Sequence, residues 1–330
     1  MQRRNPTRVI IDTDSGADDA LAILLALASP ELDVVGVTTV CGNVPVGQAT
    51  KNLCRILNLA KTPSGLLIGQ GAARPLEEDL VTAVKVFGSD GLGGLDVILS
   101  PGGSPRYPPA RLPPLLSTAQ EVWNDCVRRY PDELTLITLG PLTNVALALK
   151  VNPLMVQRFH SVIVMGGAIG VPGNVAPAAE FNIYVDPHAA HRVFQACLPL
   201  TLIPLDVTTK VWAARSTLAT WAAESYDPLG RIVADITGKA LDFAEQMEGH
   251  GRFYFHDPLA VLAAVDPSLM AMESLHVSVE KDGQVARGMT IADRRVLKPE
   301  QKSISNMLVA VDVDVPRTLD LLRSRLCPWS

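Results

Sequence analysis

Val9-Ile10-Ile11-Asp12-Thr13-Asp14-Ser15-Gly16-Ala17-Asp18-Asp19-Ala20-Leu21-Ala22-Ile23-Leu24-Leu25 places four carboxylates in eight residues, Asp12 to Asp19, between two apolar runs. The first run is β-branched and short, as a buried strand is; the second, continuing to Leu27, has the length of a buried helix. The acids therefore fall where a strand turns into a helix. In an open α/β sheet that junction is the carboxyl end of a strand, where ligands bind. Two carboxylates about 4 to 6 Å apart repel by roughly 3 to 4 kcal/mol at an effective dielectric near 20. A cation converts that cost into a gain, and hard oxygen ligands without neighbouring Cys or His favour calcium or magnesium over zinc. Helix capping is the competing reading. Asp14 or Ser15 would cap the helix, and Asp18 and Asp19 would favour the positive end of its dipole. Capping explains two or three of the acids, but not all four together.

Outward from this stretch, short apolar runs alternate with helix-period segments. The pattern predicts a strand near 8–12, a helix to Ala28, a strand 34–40, a helix 46–59 and a strand 66–68. This βαβαβ order implies an open, mostly parallel, Rossmann-like sheet flanked by helices, with right-handed crossovers. The second strand ends in Thr38-Thr39-Val40-Cys41-Gly42-Asn43, which puts Asn43 at the same crevice as Asp14. Residues 69–114 are rich in Gly and Pro and read as a mobile lid. Their glycines match no phosphate-binding fingerprint.

Further on, a helix is expected at 119–129 and a strand at 134–139. Gly140-Pro141-Leu142-Thr143-Asn144 then opens a helix capped by Thr143 or Asn144. A strand at 162–165 leads into a loop with Asn174, Glu180, Phe181 and Asn182; in an extended segment Glu180 and Asn182 would point the same way. His188 and His191 lie three apart at a helix start, without a third metal ligand. The strand 200–203 leads to Asp206, a capping or crevice residue. Residues 216–248 read as helical, broken at 227–230, with Trp221, Tyr226 and Phe243 expected in the core. His256-Asp257-Pro258 opens an apolar helix to Val265, where capping alone would also account for the pair. A C-terminal hairpin from 275–279 through Asp282-Gly283 to Val285, a strand 306–313 and a helix 316–325 complete the chain.

The 330 residues, 48% of them apolar, suffice for a sizeable core, and the lack of a linker, repeat or low-complexity tract favours one domain over 1–330. A net charge of -5 with scattered Lys and Arg offers nothing to nucleic acid or an anionic membrane. The three-residue apolar run before Asp12 is too short for a signal-peptide core. Five widely spaced cysteines without a CxxC pair read as reduced, packing thiols of a cytoplasmic protein.

Taken in order, the motifs at 12–20, 38–43, 140–144 and 173–182, followed by His256-Asp257-Pro258, resemble the inosine-uridine preferring nucleoside hydrolase family. The resemblance implies hydrolysis of the N-glycosidic bond of ribonucleosides, with a calcium-bound water activated by Asp14. Asp14, Asp19, Asp257 and the Leu139 carbonyl would hold the calcium. Asp18 and Asn43 would bind ribose hydroxyls, Asn174, Glu180 and Asn182 would grip the sugar around its 5′ hydroxyl, and Met165 and Phe181 would line the site. His256 would stand near the leaving base. The family also implies a small-molecule nucleoside substrate and a homodimer or homotetramer. The chain departs from the common pattern at Ser15, where proline is usual, and at Phe87-Gly88, where the lid usually carries His-Gly; it also lacks the paired tyrosines that some purine-using members place before His256.

Two other classes compete. Asp12-Thr13-Asp14 after a strand resembles the nucleophile motif of haloacid-dehalogenase-like phosphatases, a scheme that leaves Asp18, Asp19 and Asn43 unexplained. A non-catalytic nucleoside or ribose binding protein would keep the sugar-binding residues but lose the base or metal ligands, whereas Asp14, Asp19 and Asp257 are all present.

Overall fold

The computed structural model describes residues 5–60, 62–110, 116–227, 229–295, 298 and 303–328. Seven strands come first in the main sheet: β1 (Thr7–Thr13), β2 (Leu32–Thr39), β3 (Leu67–Gln70), β4 (Ser117–Thr118), β5 (Leu134–Thr138), β6 (Ser161–Met165) and β7 (Leu200–Ile203). With Met270–Leu275 and Met307–Val313 they form a nine-stranded sheet. Its order is Met270–Leu275, Met307–Val313, β7, β6, β5, β1, β2, β3, β4. Every neighbouring pair is parallel except the first, which is antiparallel. From β1 the chain winds outward to β4, then returns to lay β5 on the other side of β1. The strand order therefore reverses between β1 and β5, and a crevice opens at their carboxyl ends.

The strands read as continuous apolar runs because both faces are covered. Val9 and Ile11 of β1 face one core cluster, with Ile137 of β5, Ile163 of β6 and Ile203 of β7. Ile10 faces the other, with Leu136, Val162, Val164 and Leu202. The period of two assigns successive residues to opposite cores. Helix α1 (Ala17–Leu27) is buried from Ala17 to Ala26, which is why its sequence is apolar all round rather than striped. It packs against the helix His256–Val265, buried in the same way. Helix α2 (Val46–Leu59) and the helix Ala119–Arg129 match the sequence expectation residue for residue. In the latter, Thr118 and Glu121 form a reciprocal capping box.

Several local expectations are corrected. The cap of α1 is Gly16, neither Asp14 nor Ser15, and its N–H donates to the Asp19 carboxylate. Thr143 and Asn144 do not cap their helix: its N-cap is Leu142, and their side chains reach across the fold instead. Glu180 and Asn182 do not share an extended segment, because Glu180 is the N-cap of a short helix, Phe181–Val185. The C-terminal hairpin pairs Val277–Val279 with Thr290–Ala292, so Val285 belongs to the exposed connection. Tyr226 is exposed rather than core, whereas Trp221 is buried.

The Gly- and Pro-rich segment is not structureless; it holds a helical turn at Val84–Phe87 and a 3-10 turn at Leu95–Val97. Its end at 111–114 lies outside the described residues. Asn52 of α2 anchors it, donating from Nδ2 to the carbonyls of Ser15 (3.0 Å) and Asp90 (2.7 Å). Gly93 sits at φ +73, and a Cβ there would lie 2.4 Å from the Ile236 carbonyl oxygen. Only glycine fits both conditions. Phe87, in place of the family's histidine, packs on the larger core cluster.

Candidate active site

Register brings the polar groups together. Asp12 pairs with Thr38 of β2 and Thr138 of β5, so the three strands end level. The chain turns sharply after β1. Ser15 takes φ +48, which proline cannot adopt, and its N–H donates to Thr13 Oγ1 at 2.9 Å. The departure from the family's usual proline thus coincides with a left-handed turn in this chain.

The helices α1 and His256–Val265 then deliver Asp18, Asp19 and Asp257 from their first turns. Each offers one carboxylate oxygen within 4.8 Å of the others, and all three residues are buried. Two helix N-termini thereby face one acidic cluster, which partly offsets its repulsion. Asp14 stands alongside. Its Oδ2 accepts from the Asn43 backbone N–H (2.6 Å) and its Oδ1 from Asn43 Nδ2 (3.0 Å), while the same Nδ2 also reaches Asp19. A Cβ at Gly42 would meet Asp14 Oδ2 at 2.0 Å, so glycine is what lets the β2 turn close over this acid.

Burial dominates the electrostatics. It pushes Asp18 up to about 8, aided by the charge of Asp19. Asp14 is raised well above the carboxylate range by burial and then by Asp19. Asp257 is raised by burial and by Asp18, Asp19 and Asp14. Among the described residues no Lys, Arg or His makes an ion pair with any of the four. Buried acids with oxygen donors and no protein counter-charge suit a hard divalent cation.

Asp12 lies behind them, pushed up to about 7 by burial. Its Oδ1 accepts from Thr38 Oγ1 (2.6 Å) and Asn144 Nδ2 (2.8 Å), and its Oδ2 has no partner. Asn144 also donates to Thr39 O and accepts from Ala72 N, fastening the start of the Gly- and Pro-rich segment to the strand ends. Thr143 donates to Asp186, which also accepts from Leu76 N.

On the β5–β6 side, Asn182 Nδ2 donates to the carbonyls of Leu139 (2.7 Å) and Met165 (3.2 Å) and approaches Met165 Sδ. The Leu139 carbonyl, the expected backbone ligand, is thus engaged by Asn182 here. Glu180 accepts from Gly167, Asn182 and Ile183 N–H groups. Asn174 is exposed and accepts from Phe181 N–H. His256 is half-buried; burial pushes its imidazole down to about 4. Its Nδ1 lies 2.7 Å from Thr208 Oγ1, and its ring stacks on Tyr254 at 5.5 Å.

Other candidates fall elsewhere. His188 sits beside Glu77, Glu78 and Asp282, and His191 meets the Val279 carbonyl. Asp206 accepts from the Ile169 and Gly170 N–H groups and lines a separate surface cleft of about 720 Å³. Neither this cleft nor one of about 1000 Å³ beside Asn152 and Arg158 is lined by the acid cluster. Sequence reasoning missed Thr208 and Asn52. Thr208 follows the carboxyl end of β7, and that position was the available signal.

A parallel sheet carrying buried acids at its switch point defines an α/β protein that handles a small ligand at its strand ends. Comparison with known proteins narrows the class. The inosine-uridine preferring nucleoside hydrolase profile matches residues 9–320. The pyrimidine-specific ribonucleoside hydrolase RihA of Salmonella newport is 36% identical over 323 residues, 96% of this chain and 97% of that protein. A plant nucleoside hydrolase structure superposes with a TM-score of 0.87 at 34% identity, covering 98% of this chain and 99% of that one. The purine-preferring ribonucleoside hydrolase from Gardnerella vaginalis gives 0.85 at 32% identity, covering 97% and 98%. The chain belongs to the inosine-uridine preferring nucleoside hydrolase family, enzymes that cleave the N-glycosidic bond.

Proposed function

We propose that the chain hydrolyses ribonucleosides to free base and ribose in a calcium-dependent reaction with Asp14 as general base. The observation that carries this reading is the buried acid cluster at the β1/β5 switch point, without a basic partner among the described residues. Asp19 and Asp257 converge with Asp18, while Asp14 stands beside them on Asn43; Asp14, Asp19 and Asp257, with the Leu139 carbonyl, would hold the cation once Asn182 releases that oxygen, and Asp18 is placed to contribute. Bound there, calcium would orient the attacking water and the ribose diol and make the water more acidic.

Cleavage of a ribosyl C–N bond passes through an oxocarbenium-like transition state, so water attacks a centre already becoming cationic. That water needs a position and a proton acceptor more than great nucleophilic power. Asp14 answers the second need: it is a buried carboxylate whose two oxygens Asn43 fixes, and a cation beside it would hold it ionised and able to accept the proton. Asp18 and Asn43 bind ribose hydroxyls; Asn174, Glu180 and Asn182 hold the 5′ side; Met165 and Phe181 line the sugar. The acids also favour positive charge developing on the ring. His256 stands at the leaving base. The family likeness further supports a homodimer or homotetramer, and the five free cysteines support a cytoplasmic location.

The similar proteins include pyrimidine-specific and purine-preferring enzymes at comparable identity, so the substrate is assigned as the ribonucleoside class. The test is reducing sugar released from inosine, uridine, cytidine and adenosine, with calcium and after chelation. Calcium-dependent release is expected. Calorimetric binding of nucleoside without release from any of the four would instead establish a binding protein.

A further inference from the structure

We infer that Thr208 is a positioning residue for His256, holding the imidazole in the tautomer that carries its proton on Nε2. The inference deepens the reading above, in which His256 faces the departing base.

Thr208 is fully buried at the end of the short helix Leu205–Thr208, which follows β7. Its Oγ1 lies 2.7 Å from His256 Nδ1. A hydroxyl has one proton to donate, and a buried one must find an acceptor. The neighbouring Thr209 solves this within its helix, donating to the Leu205 carbonyl at 2.6 Å. Thr208 does not. Its backbone N–H bonds Pro204 O, and no carbonyl or side chain other than His256 takes its hydroxyl among the described residues.

The hydroxyl proton therefore points at Nδ1, which must be the unprotonated nitrogen. The reverse arrangement, Nδ1–H donating to Oγ1, leaves a buried hydroxyl proton unmet. With Nδ1 accepting, the neutral ring carries its hydrogen on Nε2. No described residue hydrogen-bonds Nε2, and Tyr254, stacked at an interplanar angle of 29°, fixes the plane of the ring. The ring thus offers an N–H donor to a base that gains negative charge as the C–N bond breaks. No proton changes hands in this step; the N–H dipole meets the developing charge.

The test pairs Thr208→Val, which keeps shape, with Thr208→Ser, which keeps the hydroxyl. Each is assayed on uridine and inosine and on 4-nitrophenyl β-D-ribofuranoside, whose phenolate leaves without help. Thr208→Val is expected to lose about tenfold in kcat on nucleosides, the size of one misdirected hydrogen bond to the developing charge, with KM little changed and the nitrophenyl riboside spared. Thr208→Ser should restore the nucleoside rate. Equal loss on all substrates means packing alone, and no loss on any means the tautomer is irrelevant; both overturn the assignment. In parallel, ¹⁵N spectra of histidine-labelled wild-type protein should show His256 with Nδ1 unprotonated and Nε2 protonated. The opposite pattern refutes the inference whatever the kinetics. If the wild type releases no sugar, the hydrolase reading fails while the spectrum still decides the role of Thr208.

Discussion

Removal of divalent cation should invert the usual effect of pH on stability. In the metal-free protein Asp18 is held up to about 8 by burial and by Asp19, whereas in the unfolded chain it titrates near the ordinary 3.8. Between these values the folded state binds a proton that the unfolded state has released. Stability therefore falls as pH rises through the window, being fully present below about 4 and lost above about 8. From pH 5 to pH 7 the slope is about 1.4 kcal/mol per unit for this one group, or about 3 kcal/mol in all. For a chain of 330 residues this is a fall in Tm of about 4 °C. Asp14 and Asp257, raised for the same reason, act in the same direction. Calcium at about 100 times its dissociation constant should return roughly 3 kcal/mol at pH 7. The assay is calorimetry of chelated and calcium-loaded protein at pH 5, 6 and 7. A metal-free Tm that is flat or rises over this range would show that the acids are ionised and solvated, and the argument from burial would be wrong.

Asp14→Asn keeps the shape and one hydrogen-bonding oxygen but removes the proton acceptor, so kcat should fall at least about a hundredfold with a modest change in nucleoside binding; near-normal turnover in steady-state kinetics removes Asp14 as the base. Gly93→Ala forces a Cβ against the Ile236 carbonyl at positive φ and should cost about 2 kcal/mol or more, read as a Tm drop of about 3 °C and a raised KM through displacement of the segment; an unchanged Tm would mean the close approach does not exist in solution. Of the five free cysteines only Cys197 is exposed, and burial pushes the Cys41 thiol up to about 12. A thiol reagent should therefore titrate one group in the native protein and five after denaturation, and rapid native titration of a second would contradict the packing around Cys41.

The sheet was legible because its residues carry local signals. Val9, Ile10 and Ile11 read as strand whichever core each faces, and the all-apolar α1 announces a helix buried on every side. The acid-rich turn was legible too, because its charges follow a buried run directly. The partners were not. Thr143 and Asn144 look like caps in sequence, yet Thr143 serves Asp186 and Asn144 serves Asp12. The helix starts at Thr143, so both residues lie within its first turn rather than before it, and their side chains are left to donate to distant carboxylates. Glu180 shows the reverse: it looks like half of an extended Glu-x-Asn pair, but a helix starts behind it and its oxygens turn back to cap that helix. Thr208 carries only the faint mark of its place after the carboxyl end of β7, since a threonine at the end of a short helix ordinarily bonds four residues back, as Thr209 does.

Adjacent acids on a helix point about 100° apart, so the pair Asp18-Asp19 alone does not say which oxygens converge. Asp257 decides it, by bringing the start of a second buried helix to the same point. The fold concentrates these acids at two helix N-termini, and what repulsion the dipoles leave is taken up by protons or by a cation. Protons and calcium thus compete for the same oxygens. Calcium affinity should rise with pH across the window in which the metal-free protein loses stability, because both follow from the same protons leaving Asp14, Asp18 and Asp257. Calcium titrations by calorimetry at pH 5 and pH 7 measure this directly. Equal affinities at the two values would mean that the cation is held by groups other than these acids.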